Sequence, residues 1–244
     1  IDLYMRQDYE GAIREFRRSI GLAPNSPYSS DASSYMANAY LALEDTKGAV
    51  KAYEEALKRD PDRDDLYIGL GNIHFAEEQY DKAIDAYKKA VQIWPSPSNH
   101  YSLGQAYMNA GQYSNADREF NTVLRKDPDS PNGNYGLGLN FSKQGRTEDA
   151  ILHFKEAIRI SPKFYDAHAE LGYAYADLGE MDEAQRIRDN LEHVSPDLAD
   201  TLSRYMYKVD PPKISFAYAN DGFNTHLPWK TPLSLLNGYL SDPG

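Results

Sequence analysis

The sequence contains no cysteine, and none of its apolar runs approaches the roughly 18 residues that a membrane-spanning helix requires. The first absence excludes a disulfide framework and cysteine-based metal sites. Because of the second, we expect no direct membrane insertion by these residues. The chain begins at Ile1 without a charged-then-apolar leader, and we expect a further segment upstream. Nothing in the sequence distinguishes a cytoplasmic from an extracytoplasmic location.

Basic residues are also in short supply. The 244 residues carry 26 lysines and arginines against 37 acidic residues, which gives a formal net charge of −11. Binding to a polyanion needs clustered lysine and arginine, so nucleic acid and anionic membrane surfaces are not expected partners. With 41% hydrophobic residues, the chain is otherwise typical of a globular protein that buries a core.

Motifs with catalytic or metal-binding spacing are missing as well. The six histidines show no ligand-like spacing, and three of them, His74, His100 and His168, fall where packing is the expected role. No glycine-rich phosphate loop, nucleophile elbow or zinc-protease motif occurs. Asn140 begins a glycosylation sequon, but Phe141 beside it is an expected core position in a helix. We therefore expect no enzyme activity, no cofactor and no metal.

What the sequence does contain is a pattern that recurs about every 34 residues. Six prolines mark it, each with an alanine twelve residues earlier. Five of them also have an aromatic residue eight residues earlier, and the last has Arg188 there. The prolines are Pro24, Pro61, Pro95, Pro128, Pro162 and Pro196. Upstream in most units stands a Leu-Gly pair such as Leu70-Gly71.

Apolar residues within each unit have helical spacing, which predicts two amphipathic helices joined by a tight turn. Small residues let the two helix axes approach closely, and the aromatic residues fill the space beside them. Gly111, Gly145 and Gly179 fit a left-handed residue that ends the first helix, with Glu44 and Glu78 replacing it in two units. Proline then ends the second helix.

These offsets of Leu-Gly, aromatic, Gly, Ala, aromatic and Pro resemble the tetratricopeptide repeat family over roughly residues 1 to 198. The resemblance implies an all-α, right-handed α-solenoid of helix-turn-helix repeats. The pattern divides into five units, 30–63, 64–96, 97–130, 131–164 and 165–198. Residues 1–29 form a partial unit, mainly its second helix, and include a three-residue insertion at Asn25 to Ser29.

Residues 199–210 are predicted to form a capping helix. Its apolar face begins just before it and comprises Leu198, Leu202, Tyr205 and Met206. On the opposite face, Asp200 and Arg204 form an i,i+4 pair. Terminal units of solenoids are expected to be atypical because they have no further repeat to pack against, which accounts for Arg188.

Beyond Pro211-Pro212, which end that helix, residues 211–244 hold few charges and many aromatic residues. Lys213 to Ala219 alternates like a β-strand. Two interpretations stay open for this tail. It is either an irregular segment packed along the solenoid or the start of a further, β-rich domain.

In the tetratricopeptide family the first helices line the concave face, which implies that positions 2, 5, 9, 12 and 13 of each unit contact ligands. The candidate peptide-binding residues are Asn38, Ile68, Asn72, Phe75, Tyr101, Gln105, Met108, Asn109, Tyr135, Leu139, Lys143, Tyr173 and Asp177. Amide side chains can hydrogen-bond an extended backbone, and aromatic ones offer contact area at low entropic cost. A simpler interpretation is that the tyrosines and methionine only fill space between units.

The resemblance favours a protein-interaction scaffold or adaptor that binds a peptide or helix of a protein partner in this groove. The family's carboxylate clamp for chaperone C-termini is absent, because Ser34, Ser98 and Ser102 stand at basic positions of that clamp. The alternative is a substrate-recognition arm of a larger enzyme, for example a glycosyltransferase, whose catalytic domain lies outside this chain. Self-association is a third possibility.

Overall fold

The computed structural model describes residues 2–24, 26 and 28–209. These residues form thirteen helices and no strand. In chain order the helices are α1 (Asp2–Met5), α2 (Tyr9–Leu22), α3 (Tyr28–Ala42), α4 (Thr46–Arg59), α5 (Asp64–Ala76), α6 (Tyr80–Ile93), α7 (Pro97–Asn109), α8 (Tyr113–Lys126), α9 (Pro131–Lys143), α10 (Thr147–Ile160), α11 (Tyr165–Asp177), α12 (Met181–Glu192) and α13 (Pro196–Val209). The tail 211–244, with its strand-like stretch, lies outside the described residues.

The helices pack in consecutive pairs. From α3 to α12, each first helix packs against the second helix that follows it, and each second helix packs against the first helix of the next unit. First helices also contact each other directly, as α7 does with α9 and α9 with α11. Successive pairs therefore stack along one direction with the first helices on a shared face. The predicted all-α repeat architecture is confirmed.

The joint between two units is built around an aromatic residue of a second helix. Phe120 of α8 is fully buried. A Cβ atom added to Gly104 of α7 or to Gly136 of α9 would lie 2.7 or 2.5 Å from that ring. Carbon atoms do not approach so closely, so the ring occupies the space that the two glycines leave open. The predicted combination of small residues and a large aromatic residue is confirmed at this joint.

A left-handed residue ends the first helix in each of the five units. Gly111, Gly145 and Gly179 have φ angles of 73°, 72° and 76°, as predicted. Glu44 and Glu78 adopt the same conformation, with φ angles of 60° and 59°. A residue with a Cβ is strained there, by roughly 1–2 kcal/mol. The turn geometry is therefore imposed by the packing of the two helices and is kept even where glycine is missing.

Helix α13 packs against both α11 and α12 and so covers the last unit. In that unit the aromatic residue is replaced by Arg188, whose guanidinium group binds Asp189 and Glu192 at 2.8 and 2.9 Å. The space beside Gly172 is filled by Leu202 of α13, which is fully buried. A Cβ atom on Gly172 would lie 2.5 Å from Cδ2 of Leu202. The capping helix thus supplies the core side chain that the last unit lacks.

The outer face of α13 also matches its predicted pattern. Asp200 and Arg204 form an ion pair of 2.5 Å. Both side chains are largely exposed, so this pair contributes little to stability and mainly marks the solvent side of the helix.

Candidate functional site

The first helices carry a row of tyrosines on their shared face. Tyr101 of α7, Tyr135 of α9 and Tyr173 of α11 are all partly buried. The ring of Tyr101 lies 5.6 Å from that of Phe120, and the ring of Tyr135 lies 6.0 Å from that of Phe154. The rings of Tyr101 and Tyr135 therefore pack on the aromatic residue of a joint while part of their surface stays exposed. These tyrosines therefore contribute to packing and also leave part of their rings exposed on the shared face of the first helices.

Electrostatic interactions link side chains of three consecutive first helices. Burial raises the pKa of Tyr101 to about 12, and the charge of Asp166 on α11 adds to this shift although α11 lies two units away. The pKa of Tyr135, on the intervening α9, is also raised by burial, by Glu170 and by Asp166.

Glu170 belongs to this face but was not among the predicted residues. Burial raises the pKa of its carboxyl group, Lys143 of α9 opposes that shift, and Asp166 adds to it. Glu170 in turn raises the pKa of Tyr173, for which burial is the larger cause. The three preceding units carry small residues at the equivalent position, Gly69, Ser102 and Gly136. That position therefore indicates helix packing, and the repeat pattern contains no signal for a carboxylate there.

The capping helix contributes to the C-terminal end of the face. The Tyr205 hydroxyl donates a hydrogen bond of 2.6 Å to Asp177, and its ring lies 4.9 Å from the ring of Tyr173. That hydrogen bond, together with burial, raises the pKa of Tyr205 to about 12. Two of the predicted residues, Tyr173 and Asp177, are thus in contact with α13.

At the N-terminal end of the face, the predicted asparagines bind tyrosines of second helices. Asn38 accepts a hydrogen bond of 2.7 Å from the Tyr53 hydroxyl. Asn72 accepts one of 2.8 Å from the Tyr87 hydroxyl. Each bond ties the first helix of a unit to its second helix, so both asparagines contribute to the internal structure of their units.

Acidic residues in this N-terminal part are paired with an arginine. Arg63 donates hydrogen bonds to Asp65 at 2.7 Å and to Asp31 at 2.8 Å. Its guanidinium group lowers the pKa of Asp65. Arg63 directly precedes α5, whereas Phe164 occupies the same place before α11. Asp166, the counterpart of Asp65, consequently has no arginine at that position.

The other predicted residues divide into packing and exposed groups. Those that pack, wholly or in part, against hydrophobic clusters are Ile68, Phe75, Met108 and Leu139. Met108 is only 6% exposed, which favours the packing interpretation for it. The side-chain amide of Gln105 donates to the Tyr101 hydroxyl at 3.4 Å, and that of Asn109 donates to the main-chain carbonyl of Gln105 at 2.9 Å. Lys143 is exposed.

The structure also bears on the glycosylation sequon, on metal binding and on membrane insertion. Asn140, the sequon residue, is fully buried, and its amide donates to the Tyr113 carbonyl at 3.0 Å and to Asp117 at 2.6 Å. It is therefore inaccessible in the folded chain. Over the described part of the chain, no three His, Cys, Asp or Glu side chains are grouped to hold a metal ion. No helix there combines the length and apolar character needed to cross a bilayer.

The stacked helical hairpins, their left-handed turns and the shared face of first helices define a tetratricopeptide repeat domain. The model of one such family, the cilia and flagella-associated protein 70 C-terminal domain, matches residues 7–197. The chain belongs to this family.

Known proteins with similar sequences share the repeat over limited lengths. Anaphase-promoting complex subunit 3 of Schizosaccharomyces pombe is 27% identical over 106 residues, which cover 43% of this chain and 16% of that protein. Small glutamine-rich tetratricopeptide repeat-containing protein 2 of Mycosarcoma maydis is 33% identical over 93 residues, which cover 37% of this chain and 25% of that protein. The chain thus matches no more than a quarter of the length of either relative.

A solved structure supports the fold independently. A tetratricopeptide repeat protein from Parabacteroides merdae superposes with a TM-score of 0.76 at 15% sequence identity, covering 85% of this chain and 82% of that one. At this level of identity, the likeness shows the shared fold.

Proposed function

We propose that this domain is a noncatalytic protein-interaction scaffold whose concave face holds a peptide segment of a partner protein. The observation that carries the proposal is the row formed by Tyr101, Tyr135 and Tyr173 on three consecutive first helices. Asp166 acts on the pKa of both Tyr101 and Tyr135, which supports their facing a common space. Partly exposed tyrosine rings offer apolar contact area, and their hydroxyl groups offer hydrogen bonds.

The amide side chains between the tyrosines add hydrogen-bonding capacity. Gln105 and Asn109 lie on α7 beside Tyr101, and each can donate to or accept from a peptide backbone. A bound segment that ran along the face would meet aromatic and amide groups in alternation. The acidic balance of the chain favours a protein over a nucleic acid as the partner.

The known relatives are consistent with a role in assembly. One of them is by name a subunit of the anaphase-promoting complex. The alternative of a substrate-recognition arm for a glycosyltransferase gains no support from the family or from these relatives. Self-association, the third possibility, would be revealed by the native mass that is measured in the experiment below.

The proposal can be tested with a displayed library of random twelve-residue peptides selected on the immobilised chain. Gln105→Trp places a bulky side chain at the centre of the face and is expected to abolish retention of the selected peptides. The matched control is Gln185→Trp on the second helix α12. Both glutamines are partly buried, and each donates its amide to a side chain four residues away, Tyr101 at 3.4 Å and Asp189 at 2.8 Å.

Both variants must keep the helical circular dichroism and the native molecular mass of the wild type. Loss of retention in the Gln105 variant alone would support the concave face as the binding site. Equal retention by both variants would contradict the proposal.

A further inference from the structure

We infer that the joint between α4 and α5 is the hinge of the array and that Arg63 is the clasp that holds it closed. Movement at a hinge is a property of the array itself and does not require a bound peptide. Asn38 and Asn72 lie on α3 and α5, at either side of this joint. Rotation about the joint would therefore change their separation on the shared face of the first helices.

The α4–α5 joint has the least extensive packing of the joints between consecutive units. Over the described helices, α4 contacts α5 less than α2 contacts α3, α6 contacts α7, α8 contacts α9 or α10 contacts α11. Direct contact between α3 and α5 is also slight. It is slight between α5 and α7 too, but there α6 packs extensively against α7. Because each unit of a solenoid is held mainly by its neighbours, the least packed interface is where two blocks of units move first.

The aromatic ring in this joint is placed differently from the ring between α8 and α9. A Cβ atom added to Gly69 of α5 would lie 2.5 Å from Cζ and 2.8 Å from the hydroxyl oxygen of Tyr53, so α5 meets the tip of that ring. A Cβ atom added to Gly136 of α9 would lie 2.5 and 2.6 Å from Cε1 and Cδ1 of Phe120, so α9 meets the side of the ring. The tip of a ring offers fewer atoms for contact than its side. The ring contact across the α4–α5 joint is therefore narrower.

Ion pairs cross the same joint at the edge where the first helices begin. Arg63 donates from Nε and Nη2 to the two carboxylate oxygens of Asp65, both at 2.7 Å, and from Nη1 to Asp31 of α3 at 2.8 Å. The two-point contact with Asp65 fixes the guanidinium group on α5 while its remaining nitrogen reaches α3. The side chains of Arg63 and Asp31 are 30% and 46% exposed, so salt in the solvent can screen their attraction.

This arginine stands at the joint that has the least packing. The residues at the equivalent place, directly before α7, α9 and α11, are Ser96, Ser130 and Phe164. None of these side chains can form an ion pair with the preceding first helix. Over the four equivalent joints, the charged clasp therefore occurs where the packing alone holds the units least firmly.

Distances between pairs of spin labels test the hinge. Because the chain contains no cysteine, labels can be attached at cysteines introduced at chosen positions. Lys51→Cys with Asp85→Cys places labels on α4 and α6, across the α4–α5 joint. The matched pair, Arg118→Cys with Leu152→Cys, spans the α8–α9 joint. All four residues are exposed, and each stands two residues before the aromatic residue of its helix.

The distance distribution across the α4–α5 joint should be broader than the one across the α8–α9 joint. Asp31→Asn removes the ion pair with Arg63 and should broaden the first distribution further, by raising the population of the open arrangement about two- to fivefold. Salt at about 1 M should broaden it in the wild type as well. Asp149→Asn breaks the exposed ion pair with Arg146 inside one unit, and this matched control should alter neither distribution.

Hydrogen exchange separates hinge motion from local unfolding. A hinge leaves the helical hydrogen bonds of α3 and α4 intact, so their protection in Asp31→Asn should match that of the wild type. Loss of that protection would show fraying of the N-terminal helices and would overturn the hinge. Equally broad wild-type distributions would overturn it as well, and an unchanged distribution across the α4–α5 joint in Asp31→Asn would overturn the role of Arg63 as its clasp.

Discussion

Replacing Leu202 with alanine tests the role of α13 as the missing core element of the last unit. Leu202 is fully buried, and it fills the space beside Gly172 that aromatic rings fill in the preceding units. Because Gly172 has no side chain, it cannot move into the vacated volume. The alanine variant should therefore retain most of the resulting cavity.

The expected loss follows from that burial. Truncating a buried leucine to alanine costs about 2–5 kcal/mol, and a site that cannot collapse lies toward the upper part of that range. We expect about 3–4 kcal/mol, a large fraction of the 5–15 kcal/mol that is typical for a folded domain. Since neighbouring repeats are coupled only locally, the loss should be concentrated in α11 to α13.

Leu152→Ala is the matched control, because Leu152 lies on α10 and is 66% exposed. The same change of side chain should cost less than about 0.5 kcal/mol there. Urea unfolding followed by circular dichroism gives the free energies, and native-state hydrogen exchange shows where protection is lost. If Leu202→Ala is no more destabilising than Leu152→Ala, α13 does not complete the core and the capping account is refuted.

Three further predictions follow from the same structure. Glu170→Gln should raise the free energy of unfolding at pH 7, because the pKa of the folded carboxyl group is raised and its ionised form is disfavoured. Because the raised pKa means that Glu170 of the wild type binds a proton more tightly in the folded than in the unfolded state, the wild type gains stability as the pH falls. The difference in the free energy of unfolding between variant and wild type should therefore shrink as the pH falls to 4 and below. Urea titrations at several pH values would measure it. Glu78→Gly removes the backbone strain of a left-handed residue that has a Cβ atom, and it should be neutral or stabilising by up to about 1 kcal/mol. Gly145→Ala introduces that strain at an equivalent turn and should be destabilising. Melting temperatures compare the two variants. Gly138→Ala places a Cβ atom 2.5 Å from the ring of Phe154 and should lower the free energy of unfolding by about 1–3 kcal/mol. A decrease of less than about 0.5 kcal/mol would show that the two helices pack less tightly there than the structure indicates.

Local rules explain why most of the fold was predictable from the sequence. The pairing of small residues with aromatic ones and the turn glycines recur at fixed offsets, and the apolar face of the capping helix follows ordinary helical spacing. Repetition tests each assignment several times within one chain. Even the strained turn at Glu78 is located by its distance from the glycines, although its residue type alone does not indicate a left-handed conformation.

The site was less predictable because its interactions join residues far apart in the sequence. Asp166 affects Tyr101 across two units, and Tyr205 binds Asp177 from the capping helix. Glu170 stands at a position that is occupied by a small residue in the three preceding units, so the repeat pattern does not indicate a carboxylate there. Residue types at candidate positions indicate the polarity of a face, but the charge balance between its two halves depends on pairs such as Arg63 with Asp31.

The most direct test of the central proposal is to locate a bound peptide by photo-cross-linking. A benzophenone amino acid replaces Gln105 in one variant and Gln185 in another, and each is irradiated with a library-selected peptide. We expect cross-linked product from the Gln105 variant, with the peptide attached at that position, and background levels from the Gln185 variant. Cross-linking at position 185 that equals or exceeds that at position 105 would contradict binding in the concave face.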